Sequence, residues 1–465
     1  MYAVVSNNIK IYNPTQECRQ RYSDMLTFAN PEYIKKERMG FWTGNTPKVI
    51  SLMVSDFDRI EIPFGLLYDV FEHKEQYESI VNDVQISENR VNYGSLIKPY
   101  DYQEEAVQAA LKGRNGVIVA PCASGKTQMG LEIIARLGLR ALWLTHTGDL
   151  LKQSMNRAKA VFAIDPSTYG TITDGKVNIG ASITFATVQT MCRMDLDTVR
   201  KEWDIIVVDE AHHVVGTPTK LQMFYKVISK LCARYKFGLT ATPRRSDGLI
   251  ACMYSLLGNK LYEVQKRQIK DNLCPVRVFI RDVDYMPDLG VILAPDGTLQ
   301  YTSLINDLIE SESRNKQIVQ DIAKHSGRGK RGLVLTDRVQ HVSTLYKALC
   351  AAGMKCLMLY GSVGKQKRKE ALDALKNGEV DLIVATFALA KEGLDIPNLD
   401  NVFFTTPQKN ETVVVQSAGR VARKAEGKEW GNVYDYVDDF GVLRGWANRR
   451  KSFYKKAEFI LHYDT

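Results

Sequence analysis

The sequence predicts an α/β protein: two tandem parallel-sheet domains preceded by a small mixed α+β or mainly β accessory unit. Three observations predict it. From about residue 115, short apolar runs alternate with helix-patterned segments; after about residue 270 the alternation restarts; and the first 95 or so residues follow neither pattern. Runs apolar on both faces, separated by amphipathic stretches, are strands of a parallel sheet covered by helices on both sides.

In chain order, residues 1–94 form the accessory unit, where "IKIYN", "PKVISLMV" and "DRIEIPFGLLYDVF" read as short strands between polar turns. Residues 95–270 carry "GVIVA" (116–120), "ALWLT" (141–145), "ITFAT" (183–187), "DIIVVDE" (204–210) and "FGLTAT" (237–242), with helical stretches such as "TQMGLEIIARLG" between them. Residues 271–465 repeat the scheme with "VRVFI" (276–280), "RGLVLT" (331–336), "KCLMLY" (355–360), "VDLIVAT" (380–386), "NVFFTT" (401–406) and "GNVYDYV" (431–437). "VILAPDGTLQY" (291–301) places a turn signal between apolar flanks and predicts a hairpin.

Composition narrows the class. With 465 residues, 45% hydrophobic and 25% charged, the chain has material for two or three cores. No window approaches the ~20 apolar residues of a membrane span. "MYAVVSNNIKIYN" has no basic start, apolar core or cleavage site, so no secretory signal and a cytoplasmic location are expected (host cytoplasm if phage-encoded). The eight cysteines form no C-x-x-C pair and read as free thiols rather than zinc ligands. A net charge of +9 leans towards a polyanionic partner without establishing one.

The chemistry begins at "APCASGKTQ" (120–128). An apolar strand runs into a small-residue turn, then into Lys126-Thr127 at the start of an amphipathic helix. Unpaired first-turn amides and the positive end of the helix dipole suit a phosphate there. Lys126 would neutralise the β- and γ-phosphates, and the Thr127 hydroxyl would ligate Mg2+. The strict loop pattern has Gly where this chain has Ala120, and a second glycine would suit position 123, which is Ala123. "WDIIVVDEAHH" supplies a second strand ending in acids: Asp209 to hold the metal and Glu210 to orient and deprotonate water. His212 reads as a relay contact rather than a metal ligand, since no second His faces it at ligand spacing.

These residues resemble the superfamily 2 helicases and translocases from residue 98 to about 437. "APCASGKT" resembles motif I, whose usual form begins with Ala, "DEAHH" motif II of the DEAH type, and "TAT" (240–242) motif III. "PYDYQEEAV" resembles the adenine-reading segment upstream of motif I, "LTHTGDLLKQ" and "ITFATVQT" motifs Ia and Ib or Ic, "GLVLTDRVQH" motif IV, "ATFALAKEGLDIPNLD" motif V and "QSAGRVARKAEGK" motif VI. The resemblance implies two RecA-like domains, ATP and Mg2+ as cofactors, and hydrolysis in a cleft between the domains.

It also implies site roles. ATP would be held by Tyr102, Gln103, Pro121, Cys122, Ala123, Ser124, Gly125, Lys126, Thr127, Gly393 and Asp395. Gln103 would hydrogen-bond the adenine edge, and Tyr100 or Tyr102 would stack on it. Catalysis would rest on Lys126, Asp209, Glu210, Gln416, Arg420 and Arg423, the last two reaching the γ-phosphate from the second domain. Thr127 and Asp209 would hold the metal. Thr145, Thr147, Thr187, Gln189, Arg338 and Thr386 would contact the nucleic-acid backbone, and His212, Thr240 and Thr242 would couple the two events. On a continuous helix, residues 416, 419, 420 and 423 share one face.

Of the basic clusters, "GKQKRKE" (364–370) and "HSGRGKRG" (325–332) read as solvated surface. "NRRKSFYKKAEF" (448–459), which mixes basic and aromatic residues, is the better nucleic-acid candidate. "LTATPRR" followed by "SDG", with the N-terminal "NPEYIKKERMGFWTG" and "IEIPFGLL", resembles the phage UvsW-type and XPB-like subgroup. That implies a monomeric ATP-dependent DNA helicase or translocase acting on forked or branched DNA and tracking along one strand, in replication, recombination or repair. Recombination and single-strand-binding proteins are the protein partners it implies; no membrane is involved. The readings kept beside it are an RNA helicase, a duplex translocase that remodels without separating strands, and a binding module with an inactive nucleotide site.

Overall fold

The computed structural model describes the chain except residues 85–89, 122, 213–217, 242–248, 328, 392–398 and 464–465. It divides into two compact units, Met1–Gln268 and Ile269–Thr465.

Among the described residues the first unit holds two larger sheets and a two-stranded one, Thr27–Ala29 with Val49–Ser51. The N-terminal one has five strands in the order Val54–Ser55, Arg59–Pro63, Asn8–Tyr12, Tyr2–Val5, Ser79–Asn82. All its pairings are antiparallel except Tyr2–Val5 with Ser79–Asn82. Alternation explains its one-sided core: Ala3, Val5, Ile9, Ile11, Ile60 and Ile62 point inward and are buried. Gln16–Leu26 covers that face through Cys18, Tyr22 and Leu26, with Thr15 capping it by accepting from the Cys18 amide at 3.2 Å.

The larger sheet of this unit has eight strands among the described residues. Their order is Lys176–Asn178, Gly170–Thr173, Ile183–Thr187, Ala141–Thr145, Ile205–Val208, Tyr235–Thr240, Asn115–Val119, Lys260–Glu263. Every pairing except that of Lys176–Asn178 is parallel. The strand after the phosphate-loop strand in space is therefore Tyr235–Thr240, and the next is the acidic-pair strand. Gly130 lets the helix Lys126–Leu137 lie flat on this sheet, since a Cβ there would sit 2.8 Å from the Trp143 ring.

The two sheets share one apolar cluster, from Ala3 and Ile62 through Val227 and Met253. Gly65 is the closest point of approach: a Cβ there would lie 2.5 Å from the Gly258 amide nitrogen and 2.6 Å from the Tyr254 carbonyl oxygen. Lys236 crosses the same joint. Its ammonium is buried, donates to the carbonyls of Asn7 (2.9 Å) and Ile228 (3.1 Å), and sits 4.4 Å from the Phe64 ring.

Among the described residues the second unit holds a seven-stranded, all-parallel sheet: Cys356–Leu359, Leu382–Thr386, Gly332–Thr336, Asn401–Phe404, Gly431–Asp438, Val276–Val283, Ile460–Tyr463. Helices cover both faces, with apolar clusters centred on Leu335, Ile383 and Phe404 on one side and Val334, Val384 and Phe403 on the other. The two units carry the parallel sheets of a pair of RecA-like domains. The predicted 291–301 hairpin is reduced to one isolated bridge between Leu293 and Leu299 around the Ala294–Thr298 turn. Its flanks fold instead into helices Leu289–Ile292 and Tyr301–Glu310, which bury Ile292, Leu304, Ile305 and Leu308 together. The seven described cysteines are all free thiols, and no described helix is long and apolar enough to cross a membrane.

Candidate nucleotide and nucleic-acid site

The phosphate-loop strand ends where the Ala120 amide donates to the Thr240 carbonyl at 2.8 Å. The chain then turns and enters its helix through Gly125, at φ 81° and ψ 34°. That left-handed geometry aims the first-turn amides outward. Ala123 also has a positive φ, 64°, which costs an L-residue about 1–2 kcal/mol. The position read from sequence as lacking a glycine is one whose backbone conformation favours it.

Two side chains brace this loop from the helix Asp101–Gly113. The Ser124 carbonyl accepts from the Tyr102 hydroxyl at 3.1 Å and from the Gln103 amide at 2.9 Å. The Gln103 carbonyl oxygen accepts from the Tyr100 amide at 3.1 Å, closing a capping box. Gln103 and Tyr102 are 3% and 4% exposed, whereas Tyr100 is 53% exposed with its ring stacked 5.9 Å from that of Tyr102. The polar atoms of Gln103 and Tyr102 are thus engaged with the protein in this structure, and Tyr100 is the accessible ring.

The acidic pair follows the strand Ile205–Val208. The Asp209 amide donates to the Leu144 carbonyl at 3.0 Å; its Oδ2 accepts from the Ser154 hydroxyl at 3.3 Å and its Oδ1 from the Glu210 amide at 3.0 Å. Glu210 has φ 48°, backbone strain of the kind found at functional positions. Lys126 Nζ lies 3.7 Å from Glu210 Oε1, and His212 Nδ1 lies 3.4 Å from Glu210 Oε2 and 3.0 Å from Thr240 Oγ1. Lys126, Glu210, His212 and Thr240 thus form one chain of polar contacts across three neighbouring strands. Burial, then the neighbouring Glu210 charge, raises the Asp209 carboxyl to about 6. Burial also works against ionised Glu210, but Lys126, His212 and His146 outweigh it and hold its carboxyl below the usual range.

These residues fit a magnesium nucleotide. A Cβ on Gly125 would collide with the Gln103 amide nitrogen, so the turn leaves room only for backbone at its centre. The donor set beside it is a hydroxyl (Thr127), two carboxylates and an ammonium, which suits Mg2+ and phosphate oxygens. Pro121 and Ala123 line the same turn; Cys122, Thr242, Gly393 and Asp395 lie outside the described residues.

The sequence-derived backbone contacts divide into two groups. Thr145 and Thr187 end adjacent parallel strands in register, and Thr336 and Thr386 do the same in the second unit. Thr145, Thr187 and Thr386 are 0%, 5% and 6% exposed. The Thr145 hydroxyl donates to the Thr147 carbonyl at 3.0 Å, that of Thr187 to Thr190 at 3.1 Å, and Thr386 Oγ1 accepts from the Leu389 amide at 3.4 Å. In this structure the three hydroxyls serve the turns that follow their strands. Thr147 caps the helix Gly148–Val161 and is half-buried, Gln189 donates to the His146 carbonyl at 2.8 Å, and Arg338 Nε donates to Asn306 Oδ1 at 3.4 Å. Sequence reasoning passed over Thr336, whose hydroxyl pairs with His341 at 2.8 Å; its place at the end of "GLVLT" was the available signal.

In the second unit Gln416 lies in the helix Glu411–Ala418, capped by Asn410, and Arg420 in the 3-10 turn Gly419–Ala422. Arg423 is already extended (φ −69°, ψ 130°), so the expected single helical face stops short of it. The cause is Lys428, whose ammonium donates to the carbonyls of Leu399 (2.6 Å), Val421 (2.7 Å) and Arg423 (3.1 Å) and draws the chain out of the helix. Arg420 donates to the Ala390 carbonyl. The 448–459 patch is also thinner than it reads: Arg450 and Tyr454 are buried, and both hydrogen-bond Asp435.

Comparison with known proteins agrees with this arrangement. The type III restriction enzyme res subunit model matches residues 96–245, and the helicase conserved C-terminal domain model matches 314–425. The chain is 25% identical over 92% of its length to the protein of Acanthamoeba polyphaga mimivirus named "Putative ATP-dependent RNA helicase L396", covering 78% of it. It is 23% identical over 91% of its length to the ATP-dependent DNA helicase uvsW of Enterobacteria phage T4, covering 86% of that protein. It is 25% identical over 70% of its length to the DNA 3'-5' translocase XPB2 of Sulfurisphaera tokodaii, covering 79% of that protein. Among solved structures, S. cerevisiae Dbp5 bound to RNA and ADP BeF3 shares the fold at a TM-score of 0.58 and 15% identity, over 86% of this chain and 94% of that one. The chain belongs to the superfamily 2 helicases, with UvsW and XPB helicases among its relatives.

Proposed function

We propose that this helicase is an ATP-driven DNA motor that unwinds or branch-migrates forked DNA. The observation that carries the motor is the contact chain Lys126–Glu210–His212–Thr240. It joins the residue assigned to the phosphates, the one assigned to the attacking water, and the strand end that reports on both. Lys126 would bind the nucleotide phosphates, Thr127 and Asp209 would hold Mg2+, and Glu210 would accept the proton of water. Gln416, Arg420 and Arg423 of the second unit stabilise the charge that develops on the transferred phosphoryl group. ATP would favour the state making both sets of contacts, and its hydrolysis would release that preference.

The DNA reading is supported by the likeness to uvsW and XPB2 and rests on the same residues as an RNA reading would. The N-terminal sheet, packed on the first motor sheet through the core shared by Ile62 and Met253, is the element assigned to branched-substrate recognition. Strand displacement from a forked duplex, in the presence of ATP, tests the proposal. Displacement that vanishes in Lys126→Ala supports it; displacement without ATP, or none from any branched duplex, overturns it.

A further inference from the structure

Lys409 stands at the C-terminal edge of the second sheet, in the loop between the strand Asn401–Phe404 and the helix Glu411–Ala418. Its ammonium sits 3.9 Å from the centre of the Tyr301 ring and 3.7 Å from that of Trp446, and the two rings meet at 60° with centroids 5.4 Å apart. Lysine side chains on a surface ordinarily sample many rotamers; two aromatic faces at this distance hold this one in place. The loop is fixed as well, because Gln408 Oε1 accepts from the amides of Lys409 (2.9 Å) and Asn410 (3.1 Å), and Asn410 caps the following helix.

Nothing in the fold requires a cation there. No carboxylate lies within ion-pair distance of Lys409 among the described residues. Burial and then the like charge of Arg449 act against its proton, with Asp337 opposing them. Asp337 itself faces Arg338 and Lys409. Arg338 and Lys409 therefore face one half-buried carboxylate, with Arg449 near Lys409, at the edge where Thr336 and Thr386 also end their strands. Tyr301 remains 39% exposed, so part of a ring stays open beside the ammonium. A fixed cation next to an exposed aromatic ring, at the ligand-bearing end of a parallel sheet, is the arrangement that grips one unit of a single strand.

We propose that Lys409, held between Tyr301 and Trp446, is a phosphate contact for a single nucleic-acid strand, with the exposed Tyr301 ring stacking the adjoining base. The site lies outside the helicase motifs and rests on the reading of this protein as a nucleic-acid motor. It also gives a role to the segment 289–310, whose second helix begins at Tyr301.

The test is equilibrium binding of a fluorescent oligodeoxythymidine across a salt series, using the full chain and the variants Lys409→Gln, Lys409→Arg and Tyr301→Leu, each checked for an unchanged unfolding transition. Each phosphate contact contributes about 0.7 to the slope of log K against log salt on a single strand. Lys409→Gln should bind about five- to tenfold more weakly at moderate salt and lose about 0.7 from that slope, as expected for one lost contact. Lys409→Arg should restore both, because a guanidinium also packs on aromatic faces. Tyr301→Leu should weaken binding while leaving the slope within about 0.3 of wild type, since stacking releases no counterion. If wild type binds and Lys409→Gln matches it in affinity and slope, the lysine merely covers the apolar cluster beneath it and the inference falls. If wild type binds no oligonucleotide, the motor reading falls first.

Discussion

The Lys126 ammonium lies 3.7 Å from Glu210 Oε1, so the cation of the phosphate loop and the second acid of the DEAH motif hold each other across the sheet edge. Burial works against the Glu210 charge, and the lysine, with His212 and His146, holds its carboxyl below the usual range. On the proposed function, a nucleotide phosphate would replace Glu210 as the lysine's partner and leave that carboxylate to act on water. Glu210→Gln should consequently bind ATP near normally while turnover falls by about 10²–10⁴-fold. Lys126→Ala should lose turnover through lost phosphate binding. Fluorescent-nucleotide titration alongside steady-state hydrolysis separates the two outcomes.

Ala123 carries a side chain at φ 64° in the turn before Gly125. Ala123→Gly relieves about 1–2 kcal/mol of strain and returns part of it as chain entropy, for a net gain of about 0.5–1 kcal/mol. The expected result is a melting temperature about 1–2 °C higher with nucleotide affinity kept. A lower melting temperature would mean that the methyl group packs usefully.

Gly65 meets backbone rather than side chains, and backbone at the Tyr254–Gly258 turn cannot yield as a flexible side chain would. Gly65→Ala should destabilise the first unit by about 1–3 kcal/mol. It should also reduce the preference for forked over linear DNA more than it reduces hydrolysis, if the N-terminal sheet reads the branch. Melting curves and paired substrate assays measure both.

Burial pushes the Lys236 ammonium down from 10.5 to about 7. In the unfolded chain this lysine keeps its proton up to 10.5, so between about 7 and 10.5 the unfolded state binds more protons and stability rises with pH. Below about 7 both states are charged and the cost of burying the charge is fully present. Lys236→Met should flatten the rise in stability above neutral pH and stabilise most on the acid side. Denaturant titrations at acid, neutral and alkaline pH read this directly.

Much of the fold was legible because central parallel strands are apolar on both faces. "ALWLT" and "ITFAT" coincide with the strands Ala141–Thr145 and Ile183–Thr187 residue for residue. Among the strands not foreseen, Gly170–Thr173, Lys176–Asn178, Lys260–Glu263 and Ile460–Tyr463 lie at or beside sheet edges, where a polar face removes the apolar signal. At the candidate site, sequence spacing conveyed which residues share a strand end but not which are covered. Thr145 and Thr187 stand where a phosphate contact is expected, yet the next turn folds over their hydroxyls. Gln103 is likewise taken up by Ser124, a partner 21 residues away that no local pattern announces. The lysine that unwinds the end of motif VI, Lys428, is a long-range effect of the same kind.

The central claim is that nucleic acid, and forked DNA above all, drives ATP hydrolysis by this chain. Steady-state hydrolysis measured with no polymer, single-stranded DNA, forked DNA and RNA tests it most directly. The account predicts greatest stimulation by forked DNA and loss of that stimulation in Lys126→Ala. Greater stimulation by RNA would contradict the DNA assignment, and hydrolysis indifferent to every polymer would contradict the motor.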